Sequence, residues 1–151
     1  METVSSNYPC YNKALAGPVI VLPTCKGIMV IPVEQIVRIQ SISNYSKLFF
    51  NNACCTTGGG KTLVVAKVLH LFEELPQLSS FVRIHRSHFV NTLYIQYYSG
   101  SKNGSLFLCN GEILTVSKRK KASLVERLHS FSNSHINKTA LLTHFSTKKI
   151  L

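Results

Sequence analysis

The chain contains no aspartate. Its 151 residues carry six acids, the glutamates Glu2, Glu34, Glu73, Glu74, Glu112 and Glu126, against 17 lysines and arginines. None of those glutamates lies within a few residues of a promising Cys–His pair, and no nucleophile elbow or paired-acid arrangement occurs. Nucleophilic catalysis needs a third group to orient its base, so no catalytic residue is expected. There is also no CxxC among the five cysteines, Cys10, Cys25, Cys54, Cys55 and Cys109, and the six histidines supply no ligand spacing. Zinc sites want two closely spaced ligand pairs, so no metal is expected, and no cofactor or small-molecule substrate either. The thiols read as small reduced hydrophobes of a cytoplasmic protein. No apolar run approaches the length of a membrane span, and METVSSNYPCYNKALAG lacks a basic segment followed by an apolar one. Neither a membrane partner nor secretion is expected.

GGGKT (58–62) resembles the end of a phosphate-binding P-loop, but Cys55 stands where the motif needs its first glycine. The TLVVA that follows is β-branched strand sequence and not a helix start, so a flexible hairpin loop is the better reading.

A formal net charge of +11 dominates what is present. Clustered Lys and Arg gain by releasing condensed counterions from a phosphate backbone, which points to a polyanion. An anionic membrane surface or a ribosomal site competes with that explanation. With 45% hydrophobic residues the chain can bury a core. Residues 1–17 read as a flexible leader, 18–131 as one domain, and 132–151 as a basic polar tail.

Within the domain the pattern is mainly β. VIVLP (19–23) and KGIMVIP (26–32) form a hairpin pattern. VEQIVRIQSI (33–42) alternates, with Val37 and Ile39 on one face and Arg38 and Gln40 on the other. KLFF, KTLVVA, FVRIH, LYIQYYS, SLFLC and EILTV are further short strands, separated by turns such as SGSKNG and Asn110-Gly111. Val68, Leu71, Phe72 and Leu75 switch to helical spacing before Pro76. Leu124, Val125, Leu128 and Phe131 form the apolar face of a last helix, with Ser117 as its N-cap. A mostly antiparallel β domain with two short helices follows.

Two clusters of cations are unusual in their placement. In FVRIHRSHFVN (81–91), Val82 and Ile84 point to the core, and Arg83, His85, Arg86 and His88 gather where the strand becomes a loop. Arginine forks clamp phosphates or read guanine edges, and histidine can donate to either. A lone histidine would more simply be structural, and Asn91 could equally close the turn before LYI. In VSKRKK, Lys118, Arg119, Lys120 and Lys121 crowd the start of the last helix. Cations there oppose the helix dipole at about 0.3–1 kcal/mol each. A solvated basic turn is the ordinary explanation of a charge run; its position at a helix start favours an anion site. The turn SNYSK (43–47) puts Asn44, Tyr45, Ser46 and Lys47 at a loop tip, which alone is a plain hairpin.

The order IPVEQIVRIQSISNYSKLFF, KTLVVAKVLHLFEEL, FVRIHRSHFVNTLYI and NGEILTVSKRKK resembles the LytTR DNA-binding domain, the output domain of LytR/AlgR-type response regulators, over about residues 19–130. The resemblance implies several small antiparallel sheets with short helices, and loops inserted into successive grooves of double-stranded DNA. It assigns DNA contacts to Ser46 and Lys47 in the first turn, to Arg86 with His85 beside it in the second, and to Lys118 with Arg119 in the third. It also implies paired direct-repeat sites and a second copy on one promoter. The family commonly carries a receiver domain with a phosphorylated aspartate; a chain lacking aspartate is expected to take its signal another way or to act constitutively. Lys118 stands where relatives have arginine, and a point donor lacks the bidentate fork. The expected function is sequence-specific regulation of transcription. The alternative is a small basic RNA-binding or ribosome-associated module, stacking bases on Tyr94, Tyr97 and Tyr98.

Overall fold

The computed structural model describes residues 17–51 and 61–130. The leader before Gly17, the tail over 132–151, Phe131 and the loop 52–60 lie outside the described residues.

Among the described residues, ten strands form three antiparallel sheets. β1 (Val19–Thr24) and β2 (Gly27–Pro32) make a hairpin paired from Val19 with Pro32 to Thr24 with Gly27. Gly27 closes it at φ 133, a conformation open to glycine and strained for other residues. The five-stranded sheet has the order β5-β4-β3-β7-β6, formed by β3 (Ile36–Ile42), β4 (Tyr45–Phe50), β5 (Thr62–Val65), β6 (Phe81–His85) and β7 (His88–Asn91). The third sheet is β10-β9-β8, from β8 (Ile95–Ser99), β9 (Ser105–Leu108) and β10 (Ile113–Thr115). The expected class, several small antiparallel sheets with short helices, is the observed one. A short helix, Leu69–Glu73, precedes a 3₁₀ turn at Pro76–Leu78, and a last helix runs through 121–130.

Both faces of the five-stranded sheet are covered. Successive residues of a strand point to opposite faces. Ile39, Leu48 and Phe89 therefore enter one core, with Ile20, Leu22 and Ile31 of the hairpin and Leu69 and Phe72 of the short helix. Val82 and Val90 enter a second core, with Leu106, Leu108, Val116 and Leu124 from the third sheet and the last helix. Each wholly buried aliphatic side chain contributes about 1.5–3 kcal/mol relative to exposure.

This double cover corrects three expectations. Val37 and Ile39 do not share a face: a bulge between Ile36 and Arg38 sends Val37 to the second core and Ile39 to the first. In the short helix the inward residues are Leu69 and Phe72, while Val68 and Leu71 are exposed. The segment after Arg86 is not all loop: His88–Asn91 returns as β7, between β6 and β3. Asn91 is wholly buried, its side-chain nitrogen donating to the Ile36 carbonyl at 2.9 Å and its oxygen accepting from Leu93 N–H at 3.1 Å. It closes the turn before LYI.

Candidate nucleic-acid interface

Three bends meet at one end of the five-stranded sheet, and backbone hydrogen bonds join them. The first is the turn at Ser43 and Asn44 between β3 and β4, with Ser43 at φ 55. The second is the bend at Arg86 and Ser87 between β6 and β7. The third is the 3₁₀ turn Lys118–Lys120 that leads into the last helix. Ser41 donates its N–H to the Ser87 carbonyl at 2.9 Å, joining the first bend to the second. Ser117 donates its N–H to the Ile84 carbonyl at 2.9 Å, joining the third to the second. Ser117 does stand before the turn, but its hydroxyl caps no backbone N–H.

Strand register carries the surface across the sheet. Lys47 pairs with Gln40, Gln40 with His88, and His88 with His85. Directly paired residues share a face, so these four form one polar row leading from the first bend to the second.

Each expected contact residue has a definite place. Asn44 and Tyr45 are exposed, and Lys47 is half-buried with its ammonium 5.3 Å from the centre of the Phe49 ring. Ser46 is not at the tip. It lies within β4, wholly buried, its hydroxyl donating to the Lys67 carbonyl at 2.6 Å. Arg86, Lys118 and Arg119 are exposed, and Lys120 is half-buried. Among the described residues no carboxylate forms an ion pair with Lys47, Arg86, Lys118 or Arg119.

The other cations have partners within the fold. Arg83 is paired with Glu73 and donates to the backbone carbonyls of His85 and Arg86. Lys121 donates to the carbonyls of Lys102, at 2.8 Å, and Ser101, at 3.4 Å, holding the turn between β8 and β9. His88 is uncharged near neutral pH: burial, then the Arg38 guanidinium, pull its pKa down to about 4. Its Nδ1 is buried without a hydrogen-bond partner. His85 is half-exposed, and its Nδ1 accepts the Ser87 N–H at 3.2 Å. In the neutral ring that assigns the proton to Nε2, which is then a hydrogen-bond donor. Within 83–88, then, Arg83 is bonded to the bend's own carbonyls, His88 is uncharged near neutral pH, and Arg86 is the exposed charge.

Two glutamates matter that the sequence pattern did not single out. Glu73 meets Arg83, and Glu112 meets Arg38, the buried arginine of the central strand. The scarcity of acids was the available signal: a buried guanidinium such as Arg38 needs a counter-charge, and few carboxylates can supply one.

Of the three tyrosines that RNA stacking would use, Tyr97 is exposed and Tyr94 and Tyr98 are half-buried. Tyr94 is engaged through its hydroxyl, which accepts from Asn51 Nδ2 at 2.7 Å and donates to the Glu34 carbonyl. Tyr98 packs on the second core. Tyr97 is exposed, its ring 5.5 Å from that of Phe107. Among the described residues no three His, Cys, Asp or Glu side chains gather to hold a metal, and no helix is long and apolar enough to cross a membrane.

A family model described as the LytTr DNA-binding domain matches residues 26–129. A solved structure described as the LytTr DNA-binding domain of a methyl-accepting/DNA response regulator from Bacillus cereus is similar, with a TM-score of 0.59 and 23% identity, over 74% of this chain and 96% of that one. That likeness is one of fold. No curated protein matches the chain in sequence.

Proposed function

The chain belongs to the LytTr DNA-binding domain family, and from that premise we propose that it regulates transcription by reading specific double-stranded DNA through the three joined bends. Arg86 and Lys118 read base edges, while Lys47 and Arg119 sit on phosphates. Arg86 is suited to its role because a guanidinium can donate two parallel hydrogen bonds to one guanine. Lys118 discriminates less sharply, since an ammonium has no fork. His85 presents a single donor beside Arg86, and Asn44 and Tyr45 flank the groove from the first turn.

One observation carries this reading: Arg86, Lys118 and Arg119, exposed and without a carboxylate partner among the described residues, sit on bends tied by Ser41–Ser87 and Ser117–Ile84 hydrogen bonds. A surface of that kind follows a phosphate backbone, and its release of counterions makes binding steeply salt-dependent. Two copies on direct repeats would suit so small a footprint, and the place of work is the cytoplasm, where bacterial DNA lies.

Selection of bound duplexes from a random pool by the full chain tests the proposal. An enriched motif is expected, with duplexes carrying it outcompeting structured RNA at moderate salt. A pool without an enriched motif would remove sequence specificity. A preference for the RNA would move the chain to the other class.

A further inference from the structure

We infer that Arg83 is a positioning residue for base recognition: with Glu73 it fixes the backbone from which Arg86 projects, and it makes no contact with DNA itself. The inference rests on the reading of Arg86 as the base-reading side chain.

The argument is geometric. Arg83 Nε donates to the His85 carbonyl at 2.6 Å, and its Nη2 donates to the Arg86 carbonyl. The first oxygen belongs to the peptide plane before Arg86 and the second to the plane after it. Peptide units are rigid, so only φ and ψ of Arg86 separate these two planes. Holding both planes from one guanidinium holds both torsions, and with them the direction of the Arg86 Cα–Cβ bond. The third edge of the fork, Nη1, meets Glu73 on the short helix. That helix is anchored in the first core by Leu69 and Phe72, so the clamp is referred to the body of the domain.

The rest of the bend is pinned in the same way. The Ser87 carbonyl accepts from Ser41, and the Ser87 N–H is held by His85 Nδ1. The β-bulge between Arg83 and His85 gives the geometry its origin: the extra residue turns the two carbonyls toward the Arg83 side chain. Arg83 is largely shielded, with 18% of its side chain exposed, and all three guanidinium nitrogens have partners. Three of its five N–H groups are therefore already committed within the fold.

A base-reading fork must be placed to within about half an ångström to make both its bonds. Lysine at 83 keeps the charge but has no rigid fork to span two carbonyls and a carboxylate. Arg83→Lys is therefore expected to lower the ratio of affinity for the selected duplex to that for random duplex by roughly 3- to 30-fold, within the range of coupling between neighbouring side chains. Affinity for random duplex stays unchanged. Arg86→Ala lowers the same ratio by roughly 5- to 150-fold. In the double variant, Arg83→Lys adds nothing further to the loss.

Additive losses in that cycle would overturn the inference while leaving Arg86 as reader. An unchanged ratio in Arg86→Ala would overturn the reading and the inference together. A fall of about one in the salt slope of random-duplex binding by Arg83→Gln would put Arg83 itself on a phosphate and also overturn it. Should Arg83→Lys fail to fold, Glu73→Ala carries the same cycle, since it releases the clamp from the helix and leaves the arginine in place. A Glu73→Ala protein with full discrimination would overturn the clamp.

Discussion

The guanidinium carbon of Arg38 lies 3.5 Å from the centre of the Phe49 ring, on the strand paired beside it. Arg38 is 7% exposed in the middle of the five-stranded sheet. Its Nη1 donates to Gln40 Oε1 at 2.9 Å and its Nε to Glu112, from the turn between β9 and β10. A charge so placed is tolerable only with its hydrogen bonds and counter-charge present. Glu112→Ala is expected to destabilise the fold by about 1–3 kcal/mol, less than a fully buried pair because Glu112 is 32% exposed. Urea unfolding at pH 7 measures it. Replacing both residues, Arg38 by Met and Glu112 by Leu, should cost less than Glu112→Ala alone, since no charge is then left without its partner.

His88 makes stability depend on pH in a definite direction. Its folded pKa is about 4, against 6.5 for the free side chain, because burial and the nearby Arg38 charge oppose protonation. Between those values the unfolded chain binds the proton and the folded chain does not. Stability therefore rises with pH across the window, is fully present above about 6.5, and is lost progressively toward 4. Unfolding curves at pH 7, 6, 5 and 4.5 should show this decline, and His88→Gln should flatten it. An equal slope in the variant would assign the decline to other groups.

The alternating segments and the Asn-Gly, Gly and Pro punctuation make nearly every strand legible in the amino-acid sequence, because short strands bounded by turn residues leave few alternatives. The consequence of covering one sheet on both faces is not legible there. Val37 and Ile39 read as a single face because a period of two has no means of announcing a bulge. His88 reads as part of a loop because a histidine suggests solvent, whereas burial between β6 and β3 makes it neutral. At the site, charge density marks the bends but does not separate exposed cations from those bonded within the fold. Arg83 and Lys121 are spent on backbone carbonyls brought to them by residues such as Ser101 and Lys102, or by the bulge at 83–85. Those carbonyls carry no side-chain signature in the sequence.

Lys118 and Lys121 separate the two kinds of cation within one tetrad. Lys118 is exposed on the 3₁₀ turn, whereas the Lys121 ammonium is held by the carbonyls of Ser101 and Lys102. Lys118→Ala should weaken selected-duplex binding and reduce discrimination at one position of the motif by about 1–3 kcal/mol. Lys121→Ala should leave that motif and the salt slope as they are, and lower the unfolding midpoint instead. Binding isotherms at several salt concentrations, paired with melts, check both.

Ser46 and Lys47 provide the sharpest contrast, because they are adjacent in β4 and the family resemblance assigns both to the DNA. Adjacent strand residues face opposite sides. Ser46 turns inward, and its hydroxyl satisfies the Lys67 carbonyl at 2.6 Å. Lys47 turns to the face that carries Gln40 and His88. Ser46→Ala removes one buried hydrogen bond and should cost about 0.5–1.5 kcal/mol of stability. Its folded fraction should bind DNA with the wild-type salt slope. Lys47→Ala should do the reverse: stability within about 0.5 kcal/mol of wild type, weaker binding to selected and random duplex alike, and a salt slope lower by about one. Should Ser46→Ala lose affinity at full stability, the serine would have to leave the sheet to meet DNA, and the first turn would have to rearrange on binding.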